Sequence, residues 1–99
     1  MRMMMRWTVP VEKGNEAIKD GTMAQTIMTL LEELKPEAAY FWPEHGERSG
    51  MIVFDMVDTT QIPQIAEPVF AALDAAVEFV PVMNADDLKS ALAKVSAGG

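Results

Sequence analysis

No cysteine occurs among the 99 residues, which excludes disulfides, thiolate metal centres and cysteine nucleophiles at once. Histidine occurs once, at His45, too few for a paired-histidine metal motif. Basic residues are sparse and scattered: Arg2, Arg6, Lys13, Lys19, Lys35, Arg48, Lys89 and Lys94 stand against 15 acidic side chains, for a formal charge of −7. A surface that grips nucleic acid or an anionic membrane needs clustered Lys and Arg, so neither partner is expected. The negative charge needs no explanation beyond solubility. Apolar runs long enough to span a bilayer are missing, and Met1-Arg2-Met3-Met4-Met5-Arg6-Trp7 lacks the apolar segment of a signal peptide. A cytoplasmic protein is expected. P-loop, GxGxxG, HExxH and nucleophile-elbow motifs are all absent.

What the chain does have is a hydrophobic fraction of 49%, enough for one domain to bury roughly two-thirds of its unfolded surface. The apolar spacing changes period along the sequence. Arg2 to Val9 alternates as a strand, and Thr22 to Lys35 carries Met23, Ile27, Leu30, Leu31 and Leu34 on one helical stripe. Ala38 to Pro43 and Arg48 to Val57 read as two strands. Thr60 to Leu73 sets Ile62, Ile65, Ala66, Val69, Phe70 and Leu73 on a second stripe, and Val77 to Val82 is a last strand.

The breakers agree. Pro10 ends the first strand, and Lys13-Gly14-Asn15 opens a polar connection in which Asn15 to Lys19 makes no more than a turn of helix before Asp20-Gly21. Thr22, with Gln25 following, reads as a capping box, and Pro36 stops that helix. Glu44-His45-Gly46-Glu47 turns a hairpin, with Gly46 supplying positive φ. Asp58 or Thr59 caps the second helix; Pro63 suits its first turn, and Pro68 predicts a bend. Asn84 begins a short C-terminal helix over about residues 85–95, with Leu88, Leu92 and Val95 on one face and a flexible tail at 96–99.

The order β-α-β-β-α-β predicts a single α+β domain of the ferredoxin-like type, its core spanning residues 2–83. Four antiparallel strands lie in the order 4-1-3-2 with both helices on one face. Met3, Met5, Trp7, Val9, Ile52, Phe54, Met56, Val77 and Phe79 lie beneath the helices. The other face carries Arg2, Met4, Arg6, Thr8, Met51, Val53, Asp55, Glu78, Val80 and Val82. A register that places Met4 opposite Val53 and Val80 also sets Arg2 opposite Asp55 and Arg6 opposite Glu78, favourable cross-strand pairs. Left open, this mixed face would be an exposed apolar patch; a two-fold dimer that stacks one such face on another covers it.

In element order and face pattern, residues 2–83 resemble the dimeric α+β barrel proteins, a ferredoxin-like superfamily that includes muconolactone isomerases, antibiotic-biosynthesis and haem-degrading monooxygenases, and stress-response barrel proteins. Met1-Arg2-Met3-Met4, Pro36-Glu37-Ala38-Ala39-Tyr40-Phe41, Ile65-Ala66-Glu67-Pro68 and Pro81-Val82-Met83-Asn84-Ala85-Asp86-Asp87-Leu88 look like those of small bacterial proteins without an assigned activity. The resemblance implies the fold and a homodimer, and brings no catalytic residue with it. The monooxygenases it resembles use an Asn, Trp and His grouping or bind flavin or haem. Here Asn15 is expected in a loop and His45 at a hairpin tip, so that grouping is not carried over and no cofactor is implied. His45 reads as a solvated turn histidine sooner than a haem ligand.

The candidate ligand-binding residues are Arg6, Tyr40, Trp42, Asp55 and Glu78. Arg6 with Glu78 reads first as a salt bridge that fixes sheet register or the dimer, and second as a site for a substrate carboxylate or a proton-transfer group. Tyr40 and Trp42 share one side of the second strand with Glu44 beyond them, where they line a pocket or pack on a partner. Glu67 precedes the kink at Pro68 and reads as an exposed helical residue or one that reaches the pocket. The methionines of the first strand are adaptable packing and Asp86-Asp87 complement a helix dipole, so no metal is expected. Three functions follow: a homodimer binding a small molecule over the sheet, a cofactor-independent isomerase or monooxygenase acting on a small aromatic or carboxylated substrate, and a non-catalytic accessory subunit.

Overall fold

Residues 1–98 are described by a computed structural model. In chain order the elements are β1 (Arg2–Val9), α1 (Val11–Asp20), α2 (Thr22–Leu34), β2 (Ala38–Glu44), β3 (Glu47–Asp55), α3 (Gln61–Leu73), β4 (Ala76–Pro81) and α4 (Ala85–Gly98). The strands form one antiparallel sheet in the order β2-β3-β1-β4, the ferredoxin-like arrangement that the element order predicts. Met4 pairs with Val53 and Val80, Arg2 with Asp55, and Arg6 with Glu78, as the two-faced pattern requires.

The alternation of β1 is complete: Met3, Met5, Trp7 and Val9 are buried while the residues between them are half-buried. They join Ile52, Phe54 and Met56 of the β3 strand and its exit, together with Ala17, Met23, Leu30, Ile65, Val69 and Leu73 from α1, α2 and α3, in one core. Each large side chain so buried stabilises the fold by about 1.5–3 kcal/mol. Phe41 reaches this face from the edge strand and meets Trp7 edge-on, ring centroids 6.1 Å apart. The two rings approach across Gly50, where a Cβ would stand 2.5 Å from the Trp7 ring and 2.9 Å from that of Phe41.

The polar connection after β1 is a full helix, not the single turn expected. Gly14 acts in α1 as a packing notch instead of a breaker: a Cβ there would lie 2.8 Å from the Arg48 guanidinium. Asn15 accordingly lies on this helix and accepts a hydrogen bond from Arg48 at 3.1 Å, on the covered side of the sheet. The helix ends at Gly21 in the left-handed region. Thr22 is the first residue of α2 instead of its cap, and its N–H is received by the Asp20 carboxylate at 2.9 Å. At α3 the Asp58 carboxylate accepts from the Thr60 N–H, a bond of the kind expected of a capping Asp58, while Thr60 is the residue that directly precedes the helix. Pro68 is accommodated within α3, which continues to Leu73. The expected tail also differs: α4 is helical through Gly98, and Gly99 lies outside the described residues.

The hairpin turns as expected, with His45 at φ 51° and Gly46 at φ 80°. Two successive positive φ values make the tight turn whose twist matches that of the flanking strands.

Candidate functional site

The face without helices is built from cross-strand rows. Ala38, Val53, Met4 and Val80 form an apolar row; Tyr40, Met51, Arg6 and Glu78 form the next; Trp42, Ser49, Thr8 and Ala76 form the third. Because side chains alternate along each strand, the same register that buries Met5 and Ile52 brings Arg6, Tyr40, Trp42 and Glu78 to this side.

Arg6 is the centre of the polar part. One guanidinium nitrogen donates to Glu44 Oε2 at 3.0 Å, and Nε lies 3.4 Å from Glu78 Oε1. The Trp42 indole N–H donates to the same Glu44 oxygen at 2.9 Å, and the Arg6 guanidinium carbon stands 5.8 Å from the centroid of the Trp42 ring. Arg6, Trp42 and Glu44 are thus locked together, half-buried, with a cation over an aromatic face and a carboxylate tying both. The Ser49 hydroxyl, buried, donates within 3.3 Å of the Thr8 hydroxyl beside them.

Glu44 is the residue whose role the sequence reading misses. Its signal was the spacing: positions 40, 42 and 44 fall on one side of an edge strand, so the carboxylate lies next to the indole. With Glu44 in place, Arg6 faces two carboxylates, and a carboxylated ligand would meet net negative charge there. Tyr40 shares the row and stands 66% exposed.

Asp55 does not join the group. It lies at the end of β3, four residues beyond Met51, and receives the N-terminal amine at 2.8 Å. That hydrogen bond, and then the charge of the amine, holds its carboxyl below the usual range, with Arg2 contributing less. Although Arg2 is paired in register with Asp55, its side chain turns to Glu37 at 2.6 Å and to Asp87. Glu67 is exposed on α3, which packs on the opposite face of the sheet, and so does not approach Arg6. His45 stands almost fully exposed at the hairpin tip, 3.9 Å from Glu44. Among the described residues, no group of three His, Asp or Glu side chains gathers to hold a metal ion.

Two concave regions are present, one on the helix-covered side of the sheet and one at the hairpin edge that includes Trp42 and Ser49 of the open face. A groove of about 250 Å³ runs between α2 and α3, floored by Leu30, Leu34, Ile65 and Val69. A shallower one of about 320 Å³ wraps the hairpin edge at Phe41, Trp42, Pro43 and Arg48. No helix among the described residues is long and apolar enough to cross a membrane.

Comparison with known proteins places the chain by family and fold. Residues 1–96 match the family described as "Domain of unknown function (DUF3303)". No curated protein matches. Among solved structures, a formyltetrahydrofolate deformylase from Pseudomonas putida KT2440 is similar, with a TM-score of 0.55 and 13% identity. The match covers 99% of this chain and 39% of that one, so the likeness is to a part of the deformylase and concerns the fold alone.

Proposed function

The chain belongs to the DUF3303 family, and from its open sheet face we propose that it works as a homodimeric α+β barrel protein, binding a small molecule between two stacked faces. The observation that carries this reading is the composition of the face. A solvent-facing sheet has no use for the row Val53, Met4 and Val80, and a plain core has none for the locked group of Arg6, Trp42 and Glu44. A partly closed cavity uses both: apolar walls exclude water and a few fixed polar groups orient the ligand.

The preferred ligand is a small aromatic molecule, neutral or bearing an amine. Tyr40 and Trp42 supply stacking surface, and the two carboxylates beside Arg6 disfavour an anion. The protein acts in the cytoplasm on this reading. Catalysis is not required by it, since Arg6 serves as an anchor for Trp42 and Glu44.

Native mass spectrometry of protein purified from its own cells tests both halves together. The expected result is a species of twice 10.9 kDa carrying a small retained mass. Titration with phenol and with benzylamine, followed by isothermal calorimetry, then reads the preference. A species of single mass that neither compound perturbs would overturn the proposal.

A further inference from the structure

The helix α4 is built as an arm without a seat in its own chain. Its first turn is fixed in place: the Asn84 side chain accepts from the Asp87 N–H at 2.8 Å while the Asp87 carboxylate accepts from the Asn84 N–H at 3.1 Å. Such reciprocal capping sets the direction in which a helix leaves its strand. Asp87 is also held by Arg2, itself tied to Glu37, so the start of α4 is pinned to the open side of the sheet.

Beyond that anchor the helix is largely open to solvent, with Ala91 half-buried. None of its residues is buried, and Leu88, Leu92 and Val95, one apolar stripe, are 44%, 54% and 68% exposed. The chain is drawn out to 56 × 28 × 17 Å with a radius of gyration of 16.0 Å, against about 13 Å for a compact chain of this length. An isolated helix of 14 residues is marginal in water and draws its stability from packing of its apolar side.

We propose that α4 is an exchanged arm, whose Leu88, Leu92 and Val95 stripe packs along a second copy of this chain. The inference rests on the face-to-face dimer proposed above, and it answers a shortfall in that dimer. By strand spacing and rise, the open face offers about 450 Å² per copy, or about 900 Å² in all, below the ~1,000 Å² that a stable interface needs. An arm about 21 Å long and ~10 Å wide hides about 200 Å² and covers as much on its partner. Two arms raise the total to about 1,700 Å², the size of a standard specific interface. Charge does not oppose the contact: Asp86 and Asp87 are balanced on the arm by Lys89 and Lys94, so the acidity of the chain resides elsewhere.

Sedimentation equilibrium of the full chain beside its Leu88→Glu/Leu92→Glu variant decides the matter. The expected result is a dimeric parent and a variant whose dissociation constant is raised at least about tenfold, with its near-UV circular dichroism unchanged. Should the double variant lose that dichroism, the single Leu92→Glu variant gives the answer. A dimeric parent with an equally dimeric variant would overturn the arm and leave the stacked faces standing. A variant that dimerises normally but melts lower, independently of concentration, would seat α4 on its own domain and also overturn it. A monomeric parent would remove both proposals.

Discussion

Trp42 donates its indole N–H to a Glu44 oxygen that Arg6 also binds, so one carboxylate fixes both the aromatic wall and the cation of the open face. Glu44→Gln keeps the shape but removes the charge that holds Arg6. The expected cost to stability is about 0.5–1.5 kcal/mol, small because the group is only half-buried. The larger effect is on the site: Arg6 loses its charged partner, the tryptophan emission shifts as the charge beside Trp42 is removed, and affinity for phenol falls. Fluorescence and a urea titration, measured together, check the two parts.

Gly50 separates Trp7 from Phe41, and a methyl group there would sit 2.5 Å from the indole. Gly50→Ala is therefore expected to destabilise the fold by about 1–3 kcal/mol, the range for overpacking a tight contact. A lowered urea midpoint with an unchanged slope is the result to look for.

The Asp20 and Asp58 carboxyls sit below their usual range, the first through its hydrogen bonds from Thr22 and the second through that from the Thr60 N–H. A carboxyl lowered in the folded state contributes stability above its unfolded pKa, and that contribution disappears as pH falls through the folded value. Stability should thus decline on acidification below the ordinary carboxylate range. In Asp58→Asn, which cannot titrate there, the decline should be shallower. Urea midpoints of the parent and variant across that range make the comparison.

Asp74 ends α3 at φ 52°, a left-handed position at which its N–H reaches the Phe70 carbonyl. Glycine takes that conformation without the strain of a Cβ. Asp74→Gly is expected to raise stability modestly, by about 0.5–1 kcal/mol, read as a higher thermal midpoint.

The sheet was legible because its signal is redundant. Alternation in β1, the stripes of α2 and α3 and the turn at His45-Gly46 all agree on one topology, and a one-residue slip would have exposed Met5 and Ile52 together. Arg6 and Glu78 fall on the expected face for the same reason, and the register brings Tyr40 and Trp42, expected on one side of their strand, to that face as well. Side-chain partners were less legible, because register fixes which Cα atoms face each other and not where long side chains reach. Arg2 stands across from Asp55 yet binds Glu37 and Asp87, which lie far from it in sequence. The helix α1 was hidden by Gly14, whose role depends on the distant Arg48. The extent of α4 was hidden as well, since Ser96 to Gly98 show no apolar period to mark a helix.

The claim on which the rest depends is that two open sheet faces meet. Sedimentation velocity of the unmodified chain at tens of micromolar, beside Val53→Asp, tests it most directly, since Val53 lies in the apolar row paired with Met4 and Ala38. The account predicts a parent of twice 10.9 kDa and a variant shifted to the single mass with its fold intact. A parent that sediments at the single mass, or a variant that remains as dimeric as its parent, would contradict it.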